Sequence, residues 1–412
     1  MATINITLNQ EEIQHLLLKD SSGAFRELLE RTVNAFIQAE SDEQLGAERY
    51  AHNVETRTDF RNGNRFRDLV TRIGTITLCI PRHRNVPFKS MLLQEYKRGE
   101  AALISVMAEM VVNGVSTRKI SVVMEQLCGT SFSKSTVSDA CKELDAAVKE
   151  FKERPLTKEY PFVMVDATYF KVRENHRIVS KAYMVALGTD SEGNREILGC
   201  EPYDNESKET WKEFLEMLKN RGLHGVRMFT SDSHEGILYG ICKTFPTVPW
   251  QRCQTHFSRN VIEKAPPKYQ KAIHAALLDM YNCDTLNEAR KIRDEIIAEY
   301  KDVAEKAMEC LDAGFEDAMT VMALPKSIRK YFRTTNHLER LNRELKRRSR
   351  VIGVFPNETS LDRLMGSVLL EANDRMQTAK RVPAKKSDFD SVKECAKALQ
   401  EIAAEQAKTI AA

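Results

Sequence analysis

Two aspartates, Asp166 in "FVMVDATYF" and Asp232 in "MFTSDSHEG", each follow a short apolar run. A carboxylate at the carboxyl end of a strand stands where open α/β sheets hold their ligands. Two such groups close together repel and raise each other's pKa unless a cation joins them. Hard oxygen donors without a His/Cys cluster suit Mg²⁺. The competing role for either aspartate is to bond turn amides or cap the next helix, and "SDSHEG" fits Asp232 for that. A third carboxylate would have to come from a later helix. "RTTNHLERLNRELKRRSR", Arg333 to Arg350, offers two. Glu339 follows Asn336 by three residues, the spacing of a capping box, which is compatible with a metal-facing position. Glu344 has Arg340 four residues before it and Arg348 four after, the pattern of an exposed charge ladder.

Positioning these groups requires strands. "FVMVDATYFKV", "SKAYMVALGTD", "NREILGCEPY" and "GVRMFTSD" alternate with period two, and "TDSEGN" supplies a turn between the second and third. A helix, "ESKETWKEFLEMLKNRGL", precedes the fourth strand, "HEGILYGICKTF" follows it, and "TVPWQRC" reads as a short fifth strand. Three strands in hairpin order, a helix and a fourth strand match a ribonuclease H-like layout, in which the first and fourth strands are neighbours. From residue 259 to 326 the chain reads as helices broken at Pro266-Pro267 and Pro325, followed by the Arg333–Arg350 helix.

The segments before this core differ. "SGAFRELLERTVNAFIQAE" places Phe25, Leu28, Leu29, Val33, Phe36 and Ile37 on one narrow helical stripe, which needs a dimer partner or the next segment to cover it. Residues 54–98 read as a small basic strand module with a turn at Asn62-Gly63-Asn64 and alternation in "GTITLCI". Residues 117–146 give a helix, a turn near Gly129 and a second helix whose first turns present Lys134 and Thr136, the pattern of a helix-turn-helix or of a plain helical hairpin.

Charge is distributed unevenly. The net charge is only +3, yet Arg61–Arg98 and Ser327–Arg350 each hold nine Lys/Arg against two acids. Fields of that size serve a phosphate polymer or an anionic surface, or else form a solvated face. The nine cysteines include no CxxC pair, so a disulfide framework is not expected and reduced thiols are. Cys253-x-x-His256 supplies two zinc ligands where a structural site needs four, so zinc is not expected. No run approaches the ~18 apolar residues of a membrane span, and no GxxxxGK[ST] nucleotide loop occurs. Trp211 and Trp250 are more readily core residues than stacking platforms.

The ordered motifs "RNGNR", "PRHRN", "VDATY", "TSD", "CQTH" and "TTNHLERLNRELKRR" resemble those of Mutator-like DDE transposases of bacterial insertion sequences, over residues of about 40 to 365. The chain departs at Asn85-Val86, where the family usually carries a Gly. The resemblance implies that Asp166, Asp232 and Glu339 are the catalytic, metal-binding carboxylates, and that Cys253 and His256 are a buried pair shaping the site. It implies two Mg²⁺ per active site, with Mn²⁺ as a substitute, and no nucleotide. It also implies double-stranded DNA as partner (transposon ends and target), a homodimer or higher assembly on DNA, no membrane, and a nucleoid-associated place in the bacterial cytoplasm.

The expected fold is multidomain α+β: a ribonuclease H-like α/β catalytic core interrupted by an all-α insertion and preceded by helical and small basic β modules including a helix-turn-helix. The expected divisions are a helical segment at 1–50, the basic strand module at 51–98, the helix-turn-helix module at 99–154 and the first part of the core at 155–258. An all-α insertion follows at 259–330, then the last core helix at 331–356, and C-terminal helices with a basic linker at 357–412. Arg61, Arg65, Arg67, Arg72, Arg82 and Arg84 are expected to bind phosphates at the terminal repeat. Arg340, Arg343, Lys346, Arg347, Arg348 and Arg350 are expected to clamp the cleaved strand. The alternatives are a ribonuclease H-like nuclease or resolvase that cuts without joining, and a non-catalytic DNA-binding derivative. The three carboxylates argue against the last.

Overall fold

The computed structural model describes residues 21–51, 55–71, 74–91, 105–116, 119–123, 137, 141–142, 144–378 and 386–411. The chain divides into two compact units, Met1–Lys142 and Glu143–Ala412. In the first, helix α1 (Ser21–Leu45) lies on a hairpin of β1 (Arg61–Thr71) and β2 (Gly74–His83). The narrow stripe of α1 finds its cover there: Leu29, Val33 and Ile37 pack with Ile76, Leu78 and Ile80. Phe25 of the same stripe stays exposed. Polar residues of α1 also close the outer edge of β2. Asn34 accepts from the Cys79 amide and donates to the Thr77 carbonyl, while Glu30 accepts from the Thr77 amide. Asn62-Gly63-Asn64 is not the expected turn. It lies inside β1 as an irregularity of register, with Gly63 at φ +76°, because a bulge and a turn ask for the same permissive residues. Asp59 gathers the backbone amides of Phe60, Asn85 and Val86, which fixes the loop where the chain lacks the usual Gly.

The second unit begins with α2 (Leu144–Glu153). Its Asp145 and Lys152 pair with Arg363 and Asp362 of α11 (Glu358–Thr378). A five-stranded mixed sheet follows, made of β3 (Phe162–Glu174), β4 (Arg177–Thr189), β5 (Arg195–Tyr203), β6 (Met228–Ser231) and β7 (Trp250–Arg252) in the order β5-β4-β3-β6-β7. The first three strands are antiparallel and β3, β6 and β7 are parallel. The Asp190–Asn194 turn joins β4 to β5, with the Asp190 carboxylate accepting from the amides of Glu192 and Asn194. One sheet face carries α3 (Lys208–Asn220) and α4 (Glu235–Thr244), over a core that includes Val163, Met184, Leu198, Phe214 and Phe229. Trp211 and Trp250 are both buried there and serve packing.

Between β7 and the basic helix come α5 (Gln254–Glu263), α6 (Pro267–Tyr281), α7 (Leu286–Tyr300) and α8 (Glu305–Met319), with their own core of Phe257, Ile273, Leu277, Leu311 and Phe315. Then α9 (Lys326–Phe332) leads into α10 (Asn336–Ser349). The junction is pinned to the sheet. Phe332 stacks on Phe162, and the Phe332 carbonyl accepts from the Thr230 hydroxyl at 2.9 Å. After α12 (Lys386–Asp390), the terminal helix α13 (Ala396–Ala411) returns to β7. There the Gln406 side-chain amide accepts from the Trp250 amide and donates to the Trp250 carbonyl, at 2.9 and 2.8 Å.

Candidate active site

Asp166 and Asp232 become neighbours through strand register. Phe162, Val163 and Met164 pair with Met228, Phe229 and Thr230, and two further residues along the same parallel register reach Asp166 and Asp232. Helix α4 does not use Asp232 as its cap. His234 fills that place, its Nδ1 accepting from the Gly236 amide at 3.2 Å. The Asp232 carboxylate is therefore left facing the cleft.

Glu339 arrives on α10. Thr335 precedes the helix as N-cap with no side-chain cap bond, so the expected capping box with Asn336 does not form. The carboxylate of Glu339 points instead at His256 of α5. Nε2 of His256 lies 3.2 Å from Glu339 Oε1, and Nδ1 lies 2.5 Å from Asp232 Oδ1. Both contacts are too oblique to be hydrogen bonds, so Asp232 Oδ1 and Glu339 Oε1 are buried acceptors without an aligned donor.

Asp166 is held separately. Its Oδ1 accepts from the Ala167 amide at 2.9 Å and its Oδ2 from Asn342 Nδ2 at 2.7 Å. Burial, and then the charge of Asp232, push its pKa up to about 7. His256 moves the opposite way for its type. The Asp232 carboxylate, and after it the Cys253 thiol, outweigh burial and raise the imidazole to about 10. Burial raises the Cys253 thiol, but contacts with His256 and Thr335 win and its net shift is downward.

These groups line a cleft of about 320 Å³ whose wall also includes Thr168, Arg259, Asn342, Arg343 and Lys346. Arg259 on α5 and Arg343 and Lys346 on α10 have no acidic partner within ion-pair distance among the described residues. Among the described residues, no three His, Cys, Asp or Glu side chains converge as a ready metal-ligand set.

The other sequence candidates separate. Arg340, Arg347 and Arg350 are exposed with Arg343 and Lys346. Arg348 is not: its side chain is 4 % exposed and bonded to Glu344 at 2.7 Å. It shares a stripe with Leu341 and Leu345, so packing rather than DNA takes it. Glu344 pairs with Arg347 and Arg348, not with Arg340. In the first unit Arg65, Arg67, Arg82 and Arg84 are exposed, whereas the Arg61 guanidinium turns onto Asp42 and the Ala47 carbonyl. Arg72, Lys134, Thr136 and most of the expected helix-turn-helix lie outside the described residues.

Arg259 and Asn342 were absent from the sequence candidates. Spacing held the signal: Asn342 is three residues past Glu339, and Arg259 three past His256, so each shares a helical face with a site residue.

The sequence profile described as "Transposase, Mutator family" matches residues 1–379. The chain is 40 % identical over 380 residues, 91 % of its length and 96 % of the relative's, to the transposase for insertion sequence element IS256 in transposon Tn4001 of Staphylococcus aureus. It is 36 % identical to the transposase for element ISRM5 of Rhizobium meliloti, covering 90 % and 92 % of the two chains. It is 37 % identical to the transposase for element IS1081 of Mycobacterium tuberculosis, covering 92 % of each. With the profile spanning most of its length, the chain belongs to the Mutator family of transposases.

Proposed function

We propose that this transposase binds the terminal inverted repeats of an insertion sequence and cuts and joins DNA there, with Asp166, Asp232 and Glu339 as its catalytic carboxylates. The observation that carries the reading is the meeting of β3, the end of β6 and the start of α10 in one cleft, lined also by Arg259, Arg343 and Lys346, which have no acidic partner among the described residues. The strand order β5-β4-β3-β6-β7, with helices inserted between β7 and α10, supports a ribonuclease H-like core. A helix-turn-helix within residues 117–146 belongs to the proposal on sequence grounds.

The donor chemistry fits a hard divalent cation. Two buried carboxylate oxygens lack aligned donors, and Asp166 is driven toward protonation by burial and then by the charge of Asp232, a repulsion that a cation relieves. Asp166, Asp232 and Glu339 would hold two Mg²⁺, with Mn²⁺ as substitute. When bound, the ions polarise the phosphoryl oxygens and lower the pKa of the attacking oxygen.

The chain's own residues have distinct tasks. Asn342 orients Asp166. Arg259, Arg343 and Lys346 bind the phosphates that flank the scissile bond. In the metal-free site His256, standing between Asp232 and Glu339, limits the repulsion between them. Hydrolysis frees a 3′-hydroxyl, which then attacks the phosphorus of a second phosphodiester in line and expels the 3′-hydroxyl of the strand it joins. Bonds are exchanged, so no nucleotide is consumed. Two element ends require at least a dimer on DNA, acting in the bacterial cytoplasm. No helix among the described residues is long and apolar enough to cross a membrane.

A labelled duplex carrying the terminal repeat that brackets the gene, incubated with Mg²⁺, tests the reading. Cleavage by the parent and none by Asp166→Asn is expected, and equal cleavage by both would remove the carboxylate assignment. Cutting without joining to a second duplex would identify a nuclease instead.

A further inference from the structure

In the β1–β2 hairpin, β1 is an edge strand whose side chains from Asn62 to Asp68 are exposed. Directly opposite residues share a face. Ile76, Leu78 and Ile80, with Leu69 opposite Ile76, face α1. Phe66, opposite Cys79, and Asp68, opposite Thr77, therefore occupy the other face, which α1 leaves bare. Phe66 is 71 % exposed there, an unusual place for an aromatic ring in mid-strand.

Arg65, opposite Ile80, and Arg67, opposite Leu78, precede and follow Phe66 in sequence but leave β1 on the other face, at its outer edge, and no acidic partner is found for them among the described residues. The amides of Thr77 and Cys79 are turned away from β1, onto Glu30 and Asn34. Ladder alternation then turns the Phe66 and Asp68 amides outward on the opposite edge. That edge thus offers two guanidinium groups and backbone N–H donors, beside one apolar ring on the adjoining face.

A second copy of this chain is a poor occupant for the edge. Antiparallel two-fold pairing centred on Phe66 would set Arg65 directly opposite Arg67 of the copy, and like charges so placed are destabilising. A phosphate-walled groove suits it better. The B-DNA major groove, about 12 Å wide, admits a two-stranded ribbon, and apolar side chains read the thymine methyl there.

We propose that the hairpin enters the major groove of the terminal-repeat DNA with its bare face toward the bases. Phe66 packs on thymine 5-methyl groups, and Arg65, Arg67 and the outward amides of β1 bond the phosphates of one groove wall. This rests on the reading of the protein as a DNA transposase and adds a base contact to it. Asp68, whose carboxylate accepts from the Thr77 hydroxyl at 3.0 Å, is the acidic group on that face. It is kept from the phosphates by lying over base edges.

Anisotropy titrations of the full chain with the terminal-repeat duplex, and with the same duplex carrying uracil for thymine, test the inference across a range of salt. Phe66→Ala is expected to weaken binding about tenfold with the salt slope unchanged. Uracil should weaken the parent by a similar factor and cost Phe66→Ala nothing further. Arg65→Ala plus Arg67→Ala should instead make the slope shallower. Because Phe66 is exposed, its variant should melt as the parent does, and Phe66→Leu should recover part of the affinity. Additive effects of Phe66→Ala and uracil, or no effect of either, would overturn the methyl contact while leaving DNA binding intact. A parent that binds no duplex would overturn both this inference and the reading beneath it. A shift from dimer to monomer in Phe66→Ala by light scattering, with DNA affinity unchanged, would assign the edge to a second copy.

Discussion

The Cys253 thiol accepts from both the amide and the hydroxyl of Thr335, each at 3.3 Å, in a fully buried position. Cys253 immediately precedes the helix that carries His256, and Thr335 immediately precedes the helix that carries Glu339. One sulfur atom thereby couples the starts of α5 and α10. The Gln254 amide, donating to the Arg333 carbonyl at 3.0 Å, reinforces the same joint. Cys253→Ala leaves two buried donors of Thr335 without an acceptor, at a cost of about 1–3 kcal/mol for each. Urea denaturation is expected to report that loss, and cleavage is expected to fall more than DNA binding, because the misplaced group is Glu339. Unchanged cleavage in a destabilised Cys253→Ala would separate the joint from the chemistry.

Glu339 and Glu344 are expected to part clearly on substitution. Glu339→Gln should abolish cleavage and retain DNA binding, measured by gel assay and anisotropy on one preparation. Glu344→Gln should keep activity with a modest loss of stability. Hydrogen bonds from Arg347, with Arg348 adding to them against burial, depress Glu344 from 4.5 to about 2. A depressed carboxylate contributes stability above its unfolded pKa and loses it as pH falls through the folded one. The stability difference between parent and Glu344→Gln should therefore be full above pH 4.5 and vanish towards pH 2.

Arg348 should behave as a structural residue despite its basic neighbourhood. Its side chain is buried against Glu344, with Glu371 3.9 Å away, so Arg348→Ala removes a packed guanidinium and one of the two arginine partners of Glu344. A loss of about 1–3 kcal/mol is expected in chemical denaturation. Arg343→Ala plus Lys346→Ala should leave the melting temperature unchanged and weaken DNA binding with a shallower salt dependence. If Arg348→Ala melts as the parent does, its burial is not what holds it.

On the proposed reading, His256 occupies the place between Asp232 and Glu339 where a cation would act. Removing the imidazole from between Asp232 and Glu339 leaves their charges opposed. His256→Ala should have a lower melting temperature than the parent in EDTA, and should regain more of it on adding Mg²⁺. Equal Mg²⁺-dependent shifts in both proteins would mean that the imidazole does not moderate the two carboxylates.

Much of this arrangement was legible because alternation marks strands and strand ends mark sites. Asp166 and Asp232 end apolar runs, and strand order alone makes those runs neighbours. Local chemistry was harder to read. Asn62-Gly63-Asn64 signalled a permissive backbone, which serves a bulge as well as a turn. Asn336 and Glu339 had capping-box spacing, but the helix begins at Asn336 itself, so the box lost its cap. Arg348 looked solvated by composition, although its step of seven residues from Leu341 placed it on the buried stripe. His256 could be read only as a neighbour of the site. Its position between two carboxylates depends on how α5 and α10 cross, and no local pattern encodes that.

The return of α13 to β7 has a consequence for synthesis. Trp250 directs its backbone groups away from β6, and the Gln406 side chain supplies the hydrogen bonds that a sixth strand would otherwise make. A ribosome releases β7 long before Gln406, so the growing chain carries a raw sheet edge through the making of α5 to α12. Chains ended early by a frameshift or a stop codon keep that edge, which favours sticking to other chains over folding. The sheet that carries Asp166 and Asp232 is thus finished by a side chain made 156 residues after its last strand begins.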